Sequence, residues 1–406
     1  MPKYGRAFII IFCLMMMSAG AALADIKFTS DITRLGVGAR PLGMGKMFTG
    51  LADDISALYL NPAGLGNLET AEFLSMSGKF VNQVNYITLA GALPAKFGTL
   101  GIGYSGAGLG FSTPVLNLVE IATGEYRVIP SSTESVTYDY NNYAMALGYG
   151  VMLRSNLSVG AAVKFFNEKI SGSTGGSAFG YDVDLGVLFK PNTSLTLGLL
   201  GKSILPFDMG GKVVWDTGLE ESIPGSLNFG ASLKTSFLRQ TTFGADYELN
   251  LDQPNIPGFW HAGVEWWPSD LLALRGGIDQ DVVGNDAGTG LNIASNQTAG
   301  VSLKFSNFRF DYAYHRYNDI STNDTHYFSL AYAAPEPIPL EVLFPPDKYI
   351  THEVTVFVKG KSEDYRIKSI KVNGRDVELD KHGNFETEVS LMLGKNTIWI
   401  AGVDRT

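Results

Sequence analysis

Within residues 73–333, apolar and polar side chains alternate in segments of roughly ten residues, and a period of two is the signature of an extended strand with two unlike faces. In 307–315, Phe308, Phe310, Tyr312 and Tyr314 fall on one face, with Asn307, Arg309, Asp311 and His315 on the other. Trp260, Ala262, Val264 and Trp266 oppose His261, Gly263 and Glu265 in the same way. Tyr181, Val183, Leu185, Val187 and Phe189 oppose Asp182 and Asp184, and Phe243, Ala245, Tyr247 and Leu249 oppose Asp246 and Glu248. A tilted strand of about this length crosses a bilayer.

Hydrocarbon offers backbone groups no partner, so strands can span a membrane only as a closed barrel. Composition points the same way: 17% of residues are charged, against about 25% in ordinary soluble domains. Aromatics reach 12%, glycine 47 of 406, and no apolar run after the first 24 residues is long enough for a membrane helix. A soluble sandwich also alternates. The barrel is favoured by aromatics near segment ends, as in an interfacial girdle, and by connections that alternate between short and long.

About fourteen segments fit, an even number as in bacterial barrels, with twelve and sixteen the neighbouring alternatives. The first is placed at 73–80 and the last at 325–333. Tight turns at Pro94-Ala95-Lys96, Arg154-Ser155, Pro191-Asn192, Pro268-Ser269-Asp270 and Ser306 are predicted on the periplasmic side. The long segments 106–140, 204–224 and 280–295 then fall outside, and 81–83 is an exceptionally short outer turn.

The N-terminus sets the compartment. Lys3 and Arg6 precede an apolar run, and Ala22-Leu23-Ala24 supplies a small-x-small cleavage pattern, so residues 1–24 read as a signal peptide. The single cysteine, Cys13, lies inside it, so the mature chain is expected to use neither disulfides nor thiolate metal sites. The formal charge is −9, and residues 1–24 hold two basic residues and no acidic ones, leaving −11 for the remainder. Such a chain is a poor match for nucleic acid.

Residues 25–72 precede the strands as an expected plug segment. Asp53 or Asp54 is positioned to cap a short helix, which Asn61-Pro62 ends. Two or three helical turns do not hold alone in water, and the lumen is the nearest surface for them to pack against. After 73–334, Pro335, Pro337 and Pro339 mark a stiff linker at 335–340. Residues 341–406 carry short β-runs at 354–359, 367–372, 384–391 and 397–403, separated by turns such as Asn373-Gly374. An even strand count puts this domain in the periplasm. It ends just after a strand, so the sequence is expected to be a possible fragment. The fold class expected is all-β: an antiparallel transmembrane barrel with an N-terminal plug and a small C-terminal sandwich-like domain.

Gly38-Ala39-Arg40-Pro41-Leu42-Gly43-Met44-Gly45, then Leu51-Ala52-Asp53-Asp54 and Asn61-Pro62-Ala63-Gly64-Leu65, resemble the opening of the FadL-like outer-membrane superfamily, closest to its PorV/PorQ-type branch. Lys46-Met47 departs from the family's usual continuation. The resemblance implies a fourteen-stranded barrel whose plug carries the Asn-Pro-Ala motif. It also implies one of two activities: passive transport or presentation of hydrophobic cargo, or a scaffold or shuttle role with secreted proteins at the cell surface. The C-terminal segment resembles an immunoglobulin-like module, through which a periplasmic partner is expected to bind.

Other motifs reduce to strand chemistry. Gly101-Ile102-Gly103-Tyr104-Ser105-Gly106 has dinucleotide-loop spacing but lacks the following helix. Gly103-Tyr104-Ser105-Gly106-Ala107 misses a nucleophile elbow at Ala107. Asp279, Asp281 and Gly284 begin like a calcium loop, yet position twelve is Gly290, so an acidic surface loop is expected. The five histidines lack metal-ligand spacing. No catalytic residue, metal or cofactor is therefore expected. The site residues chosen are Asp53, Asp54, Asn61, Pro62, Ala63 and Gly64 in a gating or static plug. His261, Glu265, Arg309, Asp311 and His315 are chosen as lumen-lining groups, with lipid around the barrel.

Overall fold

The computed structural model describes residues 31–80, 84–122, 125–172, 175–251, 257–284, 291–318, 324–335, 340–362 and 367–404. The expected signal peptide 1–24, the expected outer turn 81–83, Gly290 and the core of the Pro-rich linker lie outside the described residues. The chain forms two compact units that part between Ala334 and Pro335.

Barrel strands follow one another as β1 (Glu72–Phe80), β2 (Val84–Ala95), β3 (Gly98–Ala122), β4 (Glu125–Arg154), β5 (Leu157–Ser171), β6 (Gly176–Phe189) and β7 (Leu195–Lys202). A short hairpin, β8 (Lys212–Trp215) and β9 (Glu220–Ser222), comes next. The second half is β10 (Ser226–Thr235), β11 (Gln240–Asn250), β12 (Phe259–Trp267), β13 (Leu272–Gly284), β14 (Leu291–Phe305), β15 (Phe308–Arg316) and β16 (Asp324–Ala333). All pairings are antiparallel, β1 pairs with both β2 and β16, and β5 pairs with β6. Setting aside β8 and β9, the 16 strands of the sheet leave a closed ring of 14.

The alternation faces the way lipid demands. On β2, Tyr86, Thr88, Ala90 and Ala92 are buried, while Ile87, Leu89 and Leu93 are exposed. Leu147, Phe179, Leu185, Phe243 and Phe310 are likewise exposed, whereas Asp182, Asp184, Asp246, Glu265 and Asp311 are buried. Apolar outside and charged inside inverts a soluble protein and matches a barrel wall in hydrocarbon. Phe97, Phe237 and Phe305 stand exposed at the tight-turn end, where an aromatic girdle belongs.

The long outer segments differ from the irregular loops expected. Residues 106–122 and 125–140 continue β3 and β4 as paired strands, because their Val-, Ile-, Thr- and Tyr-rich sequence suits extended backbone. Residues 204–224 contain the β8–β9 hairpin, while 280–284 and 291–295 belong to β13 and β14. Asp279 and Asp281 thus sit on a strand rather than in a surface loop.

The second unit adds β17 (Glu341–Phe344), β18 (Thr355–Lys361), β19 (Ile367–Val372), β20 (Arg375–Val377), β21 (Asn384–Ser390) and β22 (Ile400–Asp404). They form two three-stranded sheets over Val356, Val358, Ile367, Ile370, Val372 and Phe385. Asn373 and Gly374, at φ 47° and 83°, make the tight β19–β20 turn. Residues 397–399 are not strand, and β17 and β20 escaped the sequence reading because each is only three or four residues long.

Candidate functional site

Residues 31–71 fill the lumen as a string of single turns: 3₁₀ turns at Ile32–Leu35 and Pro62–Asn67, with α1 (Ala39–Gly43) and α2 (Ala57–Leu60) between them. The expected helix of two or three turns is one turn, and Ser56 occupies its N-cap. Asp54 instead accepts the Ser56 N–H at 2.9 Å. Asn61 caps the second 3₁₀ turn, accepting from Ala63 N–H at 3.2 Å and donating through Nδ2 to the Thr49 carbonyl at 2.8 Å. Pro62 follows at its first position, where a missing N–H costs nothing.

The wall admits this backbone because it is glycine at the level of contact. Cβ atoms added to Gly160, Gly198, Gly230, Gly263 or Gly277 would overlap Pro62, Thr49, Gly50 and Met44. The plug reciprocates: a Cβ on Gly50 would stand 2.6 Å from Ala231 N, and one on Gly66 2.6 Å from the Val151 carbonyl carbon. Register joins these wall positions strand to strand, as in Gly150↔Gly160↔Gly186 and Gly244↔Gly263↔Gly277. The glycine content therefore has a structural cause: a transverse belt on which the plug backbone rests directly.

Charges fasten the seat. Arg40 reaches Glu265 with Nε at 2.8 Å and Nη2 at 2.9 Å, and its Nη1 reaches Asp53 at 2.7 Å and Asp54 at 2.9 Å. Arg309 bonds Asp54 and Asp311 at 3.0 Å, while Arg275 bonds Glu265 at 2.7 Å and shares Asp311 at 3.3 Å. Burial pushes the Asp54 carboxyl upward, but Arg40 and Arg309 hold it well below the usual carboxylate range. The same contest leaves Asp31 below that range, through Lys164, Lys202 and Arg34. On the opposite side Lys46 meets Asp279 at 3.1 Å, and His315 Nε2 lies 2.7 Å from Asp279.

The sequence-chosen residues thus fall into three places, the third holding both His261 and His315. Asp53, Asp54, Glu265, Arg309 and Asp311 share one network with Arg40. Asn61, Pro62, Ala63 and Gly64 form the turn seated against β5 and β6. His261 faces Glu248 at 3.7 Å and stands cross-strand from Asp279, which His315 meets at 2.7 Å. Sequence reasoning missed Arg40, Arg275, Lys164, Lys202 and Lys46. The signal existed for Lys164 and Arg275, charges on the inward faces of β5 and β13, which also carry buried Glu168 and Asp279.

An apolar core and a cavity flank the plug. Toward the hairpin end, Met76, Tyr86, Ala107, Phe166, Val213 and Tyr327 converge with Ile32 and Leu42 of the plug into an apolar cluster, with Trp215 packed on it. Beneath it lies a cavity of about 130 Å³ between plug residues 33–49 and β7, β10–β13, lined by Arg34, Lys46, Lys202, Glu248, His261, Leu200 and Phe259. Among the described residues no group of three or more His, Cys, Asp or Glu side chains could hold a metal ion.

The closed antiparallel ring has a solved counterpart. The Pseudomonas putida toluene transporter TodX aligns with a TM-score of 0.51 at 14% identity, covering 73% of this chain and 98% of its own. The barrel has the TodX fold. A Pseudomonas aeruginosa FadL homologue aligns at 12% identity and a TM-score of 0.42, covering 72% of this chain and 97% of its own. Residues 339–406 match a family described as glucodextranase, domain B. No curated protein sequence matches the chain.

One stretch of the wall departs from continuous strand pairing. β6 pairs with β7 only over 185–189 and with β8 over 178–181. Between them, residues 203–205 bridge the interval along β6, held by Ser203 N–H to Asp184 at 2.7 Å, Ile204 N–H to the Val183 carbonyl at 3.0 Å and Leu205 N–H to Asp182 at 3.0 Å.

Proposed function

We propose that the chain is an outer-membrane protein that passively admits small apolar compounds into the hairpin-end half of its lumen. The observation that carries this reading is the apolar cluster of Met76, Tyr86, Phe166 and Tyr327. A water-filled porin lines its lumen with polar groups, whereas an apolar constriction repels water. Burying one aromatic ring there favours the solute by roughly 4 kcal/mol. The glycine belt opposes straight passage through the plugged half. The interrupted β6–β7 pairing at 182–184, bridged by 203–205, is where a sideways route into lipid would have to open. TodX, a toluene transporter, supports the same class of solute through its shared fold.

In this reading residues 1–24 direct export, the tight turns face the periplasm, and the second unit is a periplasmic immunoglobulin-like module. The test is uptake of labelled toluene by cells expressing the full chain. Uptake should exceed the empty vector and fall about tenfold or more in Phe166→Asp, which buries a charge in the apolar path. Uptake equal to the vector would defeat the proposal.

A scaffold role with secreted proteins, as in PorV-type relatives, is the second reading. It is favoured by Met392, Leu393 and Trp399, large apolar side chains exposed on the second unit. Full-length protein should then retain a secreted or periplasmic protein that a chain ending at Ala334 loses. Identical recovery by both would remove this reading.

A further inference from the structure

The outer face of the wall carries a furrow along β1. Leu74 and Met76 are buried toward the lumen, so Phe73, Ser75, Ser77 and Lys79 face outward. Register sets Ser75 between Leu330 of β16 and Leu89 of β2, and Ser77 between Phe328 and Ile87. Those four flanking side chains are each 37–46% exposed, so two serines floor a channel one strand wide between apolar ridges. A hydroxyl facing hydrocarbon is costly, and it fills less space than the large apolar groups beside it.

Cations stand at the head of this furrow. Lys79 is exposed one residue beyond the Gly78↔Tyr327 pair, on the side of exposed His326. His326 lies between Tyr312 and Tyr314, at ring-centroid distances of 5.9 Å and 5.7 Å, and its Nδ1 is 2.7 Å from the Tyr312 hydroxyl. Arg316 follows on β15, cross-strand from Asp324. Among the described residues of β1, β2, β15 and β16, Asp324 is the one acidic side chain exposed on this face. Lys79 and Arg316 against it leave the patch positive, on a chain whose formal charge is −9. At about 3.4 Å per residue and a tilt of about 40°, the strand from Phe73 to Lys79 drops roughly 15 Å, half of the ~30 Å hydrocarbon core. The furrow thus has the depth of one leaflet, with its cations at headgroup level.

We propose that the furrow is a docking site for a phosphorylated lipid, one acyl chain lying over Ser75 and Ser77 and the phosphate meeting Lys79, His326 and Arg316. The wall faces hydrocarbon here, so its occupant is an acyl chain or another membrane protein, and cations at headgroup level favour a phosphate-bearing lipid. With the tight turns toward the periplasm, the leaflet is the outer one and the lipid a phosphorylated glycolipid. That choice of leaflet rests on the orientation read above; the site itself is independent of what passes through the lumen.

The test titrates lipid A, a diphosphorylated glycolipid, into full-length protein in detergent and reads retained lipid by native mass spectrometry. Lys79→Glu should lower lipid A affinity about tenfold or more, the factor one charged hydrogen bond represents, and Lys79→Arg should keep it. Ser77→Phe, which fills the floor without touching a charge, should lower it as well. Affinity indifferent to both Lys79→Glu and Ser77→Phe overturns the inference. Displacement of the lipid by inorganic phosphate alone would also overturn it, as would a dimer that Ser77→Phe dissociates with no lipid bound. Phosphatidylglycerol held in place of lipid A, with the same dependence on Lys79, would overturn the leaflet and the orientation behind it. Should the variants not fold, wild-type protein titrated with lipid A and with its dephosphorylated form decides: preference for the phosphorylated form supports the site, and equal retention refutes it.

Discussion

Arg40 of the plug and Glu265 of β12 form a two-pronged ion pair, 2.8 Å and 2.9 Å long, with both side chains buried. Removing the guanidinium leaves Glu265, Asp53 and Asp54 without their shared cation. Arg40→Ala is expected to destabilise the plug by about 3–5 kcal/mol, and Arg40→Lys to recover only part because an ammonium cannot grip both oxygens. Protease cleavage within 36–66 of the detergent-solubilised protein reads this out. Equal resistance in wild type and Arg40→Ala would show that the pair does not hold the plug.

Neighbouring glycines on β13 make opposite predictions. A Cβ on Gly277 would run into Met44 and Gly45, whereas one on Gly276 finds its nearest atom at 4.0 Å. Gly277→Ala should cost about 1–3 kcal/mol of plug stability and raise single-channel conductance, while Gly276→Ala should leave both unchanged. Matching behaviour of the two variants would refute the belt.

Asn61 is fully buried and serves both directions, accepting from Ala63 N–H and donating to the Thr49 carbonyl. Asn61→Ala strands both groups and is expected to cost about 1–3 kcal/mol, read as a lower thermal midpoint in detergent. An unchanged midpoint would mean the turn is held by packing alone.

Acid should release the plug late. Asp31 and Asp54 lie below the usual carboxylate range when seated, so their contribution is complete above the free-chain value of about 4 and is lost only as pH falls toward the lower seated values. Protease resistance of the plug should therefore hold from about pH 7 to pH 5 and decline below about pH 4. Loss already between pH 7 and pH 5 would assign the seat to other groups.

How far the sequence could be read follows from period. Strand faces were legible because Phe308–Arg316 and its neighbours alternate cleanly, and the wall separates lipid from lumen residue by residue. The hairpin β3–β4 beyond the rim was not, since without lipid on one face its residues lose the contrast that marks a strand. The plug motif was visible in Asp53, Asp54 and Asn61, but its partners Glu265 and Arg309 lie more than 200 residues away and no local pattern joins them. Glycine abundance was plain in the sequence, yet only register reveals that Gly150, Gly160 and Gly186 stand side by side. Lys202 carried no signal, because one lysine at a strand end is ordinary.

One paired measurement bears most directly on an apolar lumen above a sealed plug. Proteoliposomes of the wild-type protein are given labelled toluene, and in parallel a small sugar whose passage is read by vesicle swelling. Toluene influx above protein-free vesicles, with no sugar-driven swelling, is the expected result. Sugar passage at porin-like rates, with toluene influx no faster than through lipid alone, would contradict it.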